Sequence, residues 1–115
     1  MPEESEKVLS FAIERDGDTA VVKCHGRLVA GTTEELYQEV KQLLPQARVV
    51  IVDLAELTYV NSSGLGTLVR LHASARKLGC EFKLLHLGKQ LRNLLKLTNL
   101  LSAFGQVEDH GINIA

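Results

Sequence analysis

Val49-Val50-Ile51-Val52-Asp53-Leu54 is a run of β-branched and apolar residues with almost no polar alternation. A strand with one buried face alternates, whereas a strand without alternation is covered on both faces. The run therefore predicts a strand at the centre of a sheet, and the rest of the chain must supply its neighbours. Leu9, Phe11 and Ile13 alternate with Ser10, Ala12 and Glu14, which predicts a strand over 8–14 with one buried face. Asp16-Gly17 is a turn dipeptide, and Thr19 to Cys24 is a second β-rich run, so the two form an antiparallel hairpin.

Helical periods follow. Thr32-Thr33-Glu34-Glu35 reads as a helix start in which Thr32 caps and Glu35 reaches back, with Leu36, Val40, Leu43 and Leu44 on one face until Pro45. Leu65, Leu68, Val69, Leu71, Ala75 and Leu78 mark the buried face of a second helix that Gly79 stops. Glu81 to Leu87 reads as the next strand, Lys89 to Leu97 as a short third helix, and Gln106 to Glu108 as a further edge strand. The expected class is α/β: a mixed sheet of four to five strands opened by an antiparallel hairpin, with right-handed crossovers and helices layered on one face. One domain over residues 1–115 is expected, its core spanning about 7–108 between short polar ends.

Charge narrows the function classes. Thirteen Lys+Arg against fourteen Asp+Glu leave a net charge of −1, so no global field draws the chain to nucleic acid or to an anionic membrane. No apolar stretch approaches the roughly 20 residues that cross a bilayer, and the first seven residues are polar rather than signal-like. Cys24 and Cys80 form no disulfide framework and no zinc spacing, so a cytoplasmic, reduced setting is expected.

The segment from Asp53 to Gly66 is the most informative. Asn61, Ser62 and Ser63 are all good N-cap residues, and Gly64 and Gly66 leave the first turn of the following helix free of bulky side chains. Ser62 is expected to cap the helix or point inward. A helix N-terminus carries about half a positive charge and unpaired N–H groups, so it tolerates a phosphorylated side chain. Phosphorylation there adds about −1.5 to −2 charge units in one step.

These residues resemble the signature of bacterial anti-sigma factor antagonists, the STAS family, in which a strand ending in Asp-Leu precedes an aromatic-aliphatic pair and Asp-Ser-Ser/Thr-Gly-Leu-Gly. The matching residues here are Asp53-Leu54, Tyr59-Val60 and Asn61-Ser62-Ser63-Gly64-Leu65-Gly66, and Gly26-Arg27-Leu28 resembles the family's Gly-x-Leu turn. The order of elements resembles that whole domain. The resemblance implies a non-enzymatic regulator whose binding surface includes Val29 and residues 61–66. It implies that Ser63 is phosphorylated by an anti-sigma factor with serine kinase activity, which releases the phosphorylated form, and that a serine phosphatase resets the switch. Two departures stand out: Asn61 occupies the usual Asp position, and Val29 replaces an acidic residue common after Gly-x-Leu. They keep open a docking role, as a subunit of a lipid transporter or of a larger signalling assembly, without a phosphorylation cycle.

Other features have plainer readings. Asp53 has no local partner carboxylate, His or metal ligand and is expected to hydrogen-bond to the loop after it. Gly64-Leu65-Gly66 lacks both the third glycine of a dinucleotide site and the Gly-Lys-Ser/Thr of a P-loop, so a small enzyme or nucleotide-binding protein is the weakest alternative and no cofactor is expected. His25, His72, His86 and His110 are scattered, without metal spacing. Cys24 and Cys80 read as small buried apolar residues. Lys89, Arg92 and Lys96 make a basic stripe on the third helix, ordinarily a solvated face but also suited to a phosphate or an acidic partner.

Overall fold

β1 (Leu9–Asp16) and β2 (Thr19–Leu28) pair antiparallel in unbroken register, from Leu9 opposite Gly26 to Asp16 opposite Thr19. A computed structural model describes residues 8–99. β2 lies parallel to β3 (Val49–Val60), which lies parallel to β4 (Glu81–Leu85), in the spatial order β1-β2-β3-β4. The crossovers contain α1 (Thr33–Lys41) with a 3-10 turn at Leu44–Gln46, then α2 (Ser62–Leu78); α3 (Lys89–Leu97) follows β4. Among the described residues the sheet has four strands, and the edge strand expected at 106–108 lies outside them.

β3 is central, as its composition requires. Val50 through Leu54 are all buried. Val50, Val52 and Leu54 join Ala20, Val22, Phe82 and Leu84 beneath Leu36 and Val40 of α1, Leu68 and Leu71 of α2, and Leu91 and Leu95 of α3. Ile51 faces the other way and closes a small apolar cluster with Val21 and Leu85 that contains no helical residue. Among the described residues, no helix is long and apolar enough to cross a membrane.

The structure corrects several local expectations. β3 does not end at Leu54 but runs to Val60, because its register with β2 shifts between Lys23 and His25 and again between Gly26 and Arg27, so pairing absorbs the polar Ala55-Glu56 interruption. Gly26-Arg27-Leu28 is accordingly the end of β2 rather than a turn. Gly26 takes φ 119°, and a β-carbon there would strike the Val8 carbonyl oxygen. On β1 only Leu9 is fully buried; Phe11 is half-buried and Ile13 is 36% exposed, because an edge strand is covered only where the helices reach. Leu78 is 56% exposed, since the turn at Gly79 folds Cys80 back under the helix end, its N–H donating to the Ala75 carbonyl at 2.9 Å, and Cys80 fills the core there instead. Thr32 stands at the start of α1 but makes no side-chain cap, and no reciprocal bond from Glu35 is formed. Its buried hydroxyl instead closes the preceding loop, accepting from the Val29 N–H at 3.0 Å and lying 3.0 Å from the Arg27 and Val29 carbonyls. β4 stops at Leu85, and His86 takes φ 64°.

α2 begins hard against the end of β2. A β-carbon on Gly64 would lie 2.7 Å from the Leu28 carbonyl oxygen and 2.7 Å from Val60 Cγ2, whereas one on Gly66 would meet nothing within 4 Å. Gly64→Ala is therefore expected to destabilise by about 1–3 kcal/mol through overpacking, while Gly66→Ala gains up to about 1 kcal/mol of helix propensity; urea-denaturation midpoints should move in opposite directions. Both cysteines are buried thiols. Burial, assisted by the charge of Asp53, pushes the Cys24 thiol up to about 12, and burial likewise raises that of Cys80. At pH 8 about one Cys24 in ten thousand is thiolate, so iodoacetamide is expected to label neither cysteine in the native state within the time that labels both in urea.

Candidate protein-docking site

Asn61 alone separates β3 from α2, and it is the residue that caps the helix. Its backbone is extended (φ −116°, ψ −170°), and its side-chain oxygen accepts from the N–H groups of Ser63 at 3.0 Å and Gly64 at 3.2 Å. Its own N–H donates to the Leu28 carbonyl at 3.3 Å, and its carbonyl accepts from the Leu65 N–H at 3.0 Å. Strand end and helix start are thus tied by four bonds through the side chain and backbone of one residue. Ser62 neither caps nor points inward: with Asn61 in the cap position it is the first helical residue, and it is exposed.

Ser63 is exposed on the same turn. Its carbonyl accepts from the Thr67 hydroxyl at 3.1 Å, but its own hydroxyl has no partner among the described residues. No acidic residue occupies the first turn of α2, and the cap is uncharged, so nothing local opposes a negative group on Ser63. Gly64 and Leu65 face the core and set the position of the surface, while Gly66 is exposed and leaves open space one turn along. Val29 is half-buried in the loop after β2, held there by Thr32. Of the seven positions read from the sequence, Ser62, Ser63 and Gly66 form the accessible part, Asn61 and Val29 its margins.

Two features were not foreseen. The first is a cavity of about 210 Å³ between the end of β3 and the start of α3, lined by Leu54, Leu57, Tyr59 and Val60 on one side and Lys89, Gln90 and Leu91 on the other. Gln90 fixes its floor, its side-chain oxygen accepting from the Val60 N–H at 3.3 Å. The second is a pair on the helix-free face of the sheet. Asp53 Oδ1 accepts from the Ala55 N–H at 3.0 Å, the expected bond to the following residues, and also meets His86 Nδ1 at 2.8 Å. That histidine lies 33 residues away, so only the parallel pairing of β3 with β4 reveals it. No cluster of three His, Cys, Asp or Glu side chains suited to a metal occurs among the described residues.

The family model described as "Mlab, STAS domain" matches residues 11–102. A STAS-domain containing protein of Pseudomonas aeruginosa (strain UCBPP-PA14) is 26% identical over 89 residues, which is 77% of this chain and 88% of that protein. Among solved structures, an anti-sigma factor antagonist from Mycobacterium paratuberculosis superposes with a TM-score of 0.76 at 24% identity, covering 89% of this chain and 86% of that one. A sulfate transporter family protein from Wolinella succinogenes has a TM-score of 0.72 at 18% identity, covering 84% and 81%. The hairpin-first mixed sheet is thus shared by regulators and transporters alike, and with the family model spanning most of its length the chain belongs to the STAS domain family.

Proposed function

We propose that this STAS domain is an anti-sigma factor antagonist that works by partner switching. Unmodified, it docks through the start of α2 onto an anti-sigma factor with serine kinase activity; phosphorylation of Ser63 releases it, and a serine phosphatase restores it. The observation that carries this reading is the Ser63 hydroxyl, exposed and without a partner among the described residues, on the first turn of a helix capped by Asn61. A hundredfold weakening requires roughly 2.7 kcal/mol. A phosphate forced into a docked, dehydrated interface without a partner costs at least that. The fold itself does not resist the modification, because an anion near a helix N-terminus is favourable by about 0.3–1 kcal/mol. Catalysis has no place in this reading.

A second reading keeps the surface and drops the cycle, with the domain docking as a subunit of a lipid transporter or of a larger signalling assembly. The neutral Asn61 cap and the apolar Val29 at the margin favour it, since both make the surface less acidic than in the phosphorylated members that the sequence resembles. A solved relative of the same fold belongs to a sulfate transporter family.

Pull-downs from source-cell lysate with wild type and Ser63→Asp as parallel baits separate the two. A kinase-like protein held by wild type and lost with Ser63→Asp is the expected result; a transporter subunit held equally by both would transfer the assignment to the second reading. Ser63→Asp is expected to melt no lower than wild type, so lost binding is not lost folding. Equilibrium dialysis against ATP or GTP is expected to give no saturable binding.

A further inference from the structure

The cavity beside the start of α3 is too small for a cofactor and well shaped for side chains. Its volume of about 210 Å³ falls below the roughly 300 Å³ at which small-molecule pockets begin. Leu54, Leu57, Val60 and Leu91 give it an apolar part beside the polar Thr58 and Gln90, and Tyr59, also in the lining, is 42% exposed. Lys89 is the one charged residue of the lining. The Arg27 guanidinium lies 5.7 Å from the centre of the Tyr59 ring, outside the lining of the cavity. α3 itself carries Lys89, Arg92 and Lys96 and no acidic residue, and its N-terminus, at Gly88, has no side-chain cap. In a chain of net charge −1 this edge is locally basic, while Glu34, Glu35 and Glu39 lie together on α1. Val60 belongs both to this cavity and to the packing under Gly64, which places the cavity within a few residues of Ser63 along the chain.

We infer that this groove receives an acidic segment of the docking partner whose apolar side chains enter between β3 and α3 while its carboxylates face Lys89 and the basic helix α3 that it opens. This deepens the partner-switching reading and rests on it for the identity of the partner. It also gives Ser63 phosphorylation a direct means of release. Val60 and Ser63 are three residues apart, at most about 11 Å between α-carbons, within about one and a half Debye lengths at physiological ionic strength. A phosphate on Ser63 therefore repels the carboxylates of a segment seated in the groove, in addition to blocking the surface it occupies itself.

The test is an NMR titration of the ¹⁵N-labelled full chain with two 12-residue peptides, one alternating Leu and Phe with Asp and Glu, the other carrying Lys at every acidic position. The acidic peptide is expected to shift the amides of Leu57, Tyr59, Lys89 and Gln90 saturably, with the lysine peptide at least about fivefold weaker. Lys89→Glu is expected to reverse that preference, and Tyr59→Ala, an exposed position, to weaken both peptides. Shifts confined elsewhere, equal binding of both peptides, unchanged preference in Lys89→Glu, or saturable binding of phosphatidylglycerol vesicles at these amides in place of the peptide would each overturn the inference. No kinase or phosphate enters this titration. A failed titration therefore leaves the Ser63 reading standing, and a pull-down insensitive to Ser63→Asp leaves the groove standing.

Discussion

The pairing of β3 between two parallel neighbours is the constraint on which the other placements depend. In its observed register Val50, Val52 and Leu54 face the helices and Ile51 and Asp53 face the opposite side. Each fully buried aliphatic side chain is worth about 1.5–3 kcal/mol, but the register is enforced as much by Asp53. A slip of one residue would exchange the faces and drive a carboxylate under the helices, where an unpaired charge costs more than any one of those valines returns. On the open face the same carboxylate meets the Ala55 N–H and His86. Asp53 thus specifies which way β3 lies.

From that register the docking surface follows by short steps. The two shifts against β2 let β3 continue to Val60, opposite Leu28. Leu28 then accepts the Asn61 N–H, and Gly64 packs on Leu28 and Val60 with no room for a side chain. Ser63 is consequently carried on the end of a central strand rather than on a free loop.

Much of this was legible in the sequence, and the misses share a cause. The hairpin, the central run, the Gly79 stop and α3 are announced by local period and turn chemistry, and they appear where expected. What local pattern could not supply is pairing at a distance. The extension of β3 across Ala55 and Glu56 depends on pairing with β2 that resumes after β3 bulges out an extra residue at each shift, and the Asp53–His86 contact depends on β4. Cys80 displaced Leu78 from the core because a turn, not a helical period, decides what lies under a helix end. At the docking surface three adjacent residues were equally able to cap α2. Asn61 took the role because its N–H was already committed to Leu28, fixing it in extended backbone with its side chain over the first turn. Ser62 and Ser63 were thereby left outside.

That outcome has a chemical consequence. Asn and Asp cap a helix about equally well, but an Asp at this position would set a full negative charge beside any phosphate on Ser63. With Asn61 the cap oxygen is retained and that repulsion is absent, so a phosphate on Ser63, if partner switching operates, would retain most of the favourable helix-terminus interaction, even though the neutral cap departs from the family pattern. The neutral cap therefore lowers the cost of carrying a phosphate without changing the shape that a partner sees. Under the partner-switching proposal, discrimination between the two states would then come from the partner's side of the interface rather than from strain within this domain. Under the same proposal, the basic helix α3, whose first residues line a cavity with Val60, is where an acidic partner would register that difference.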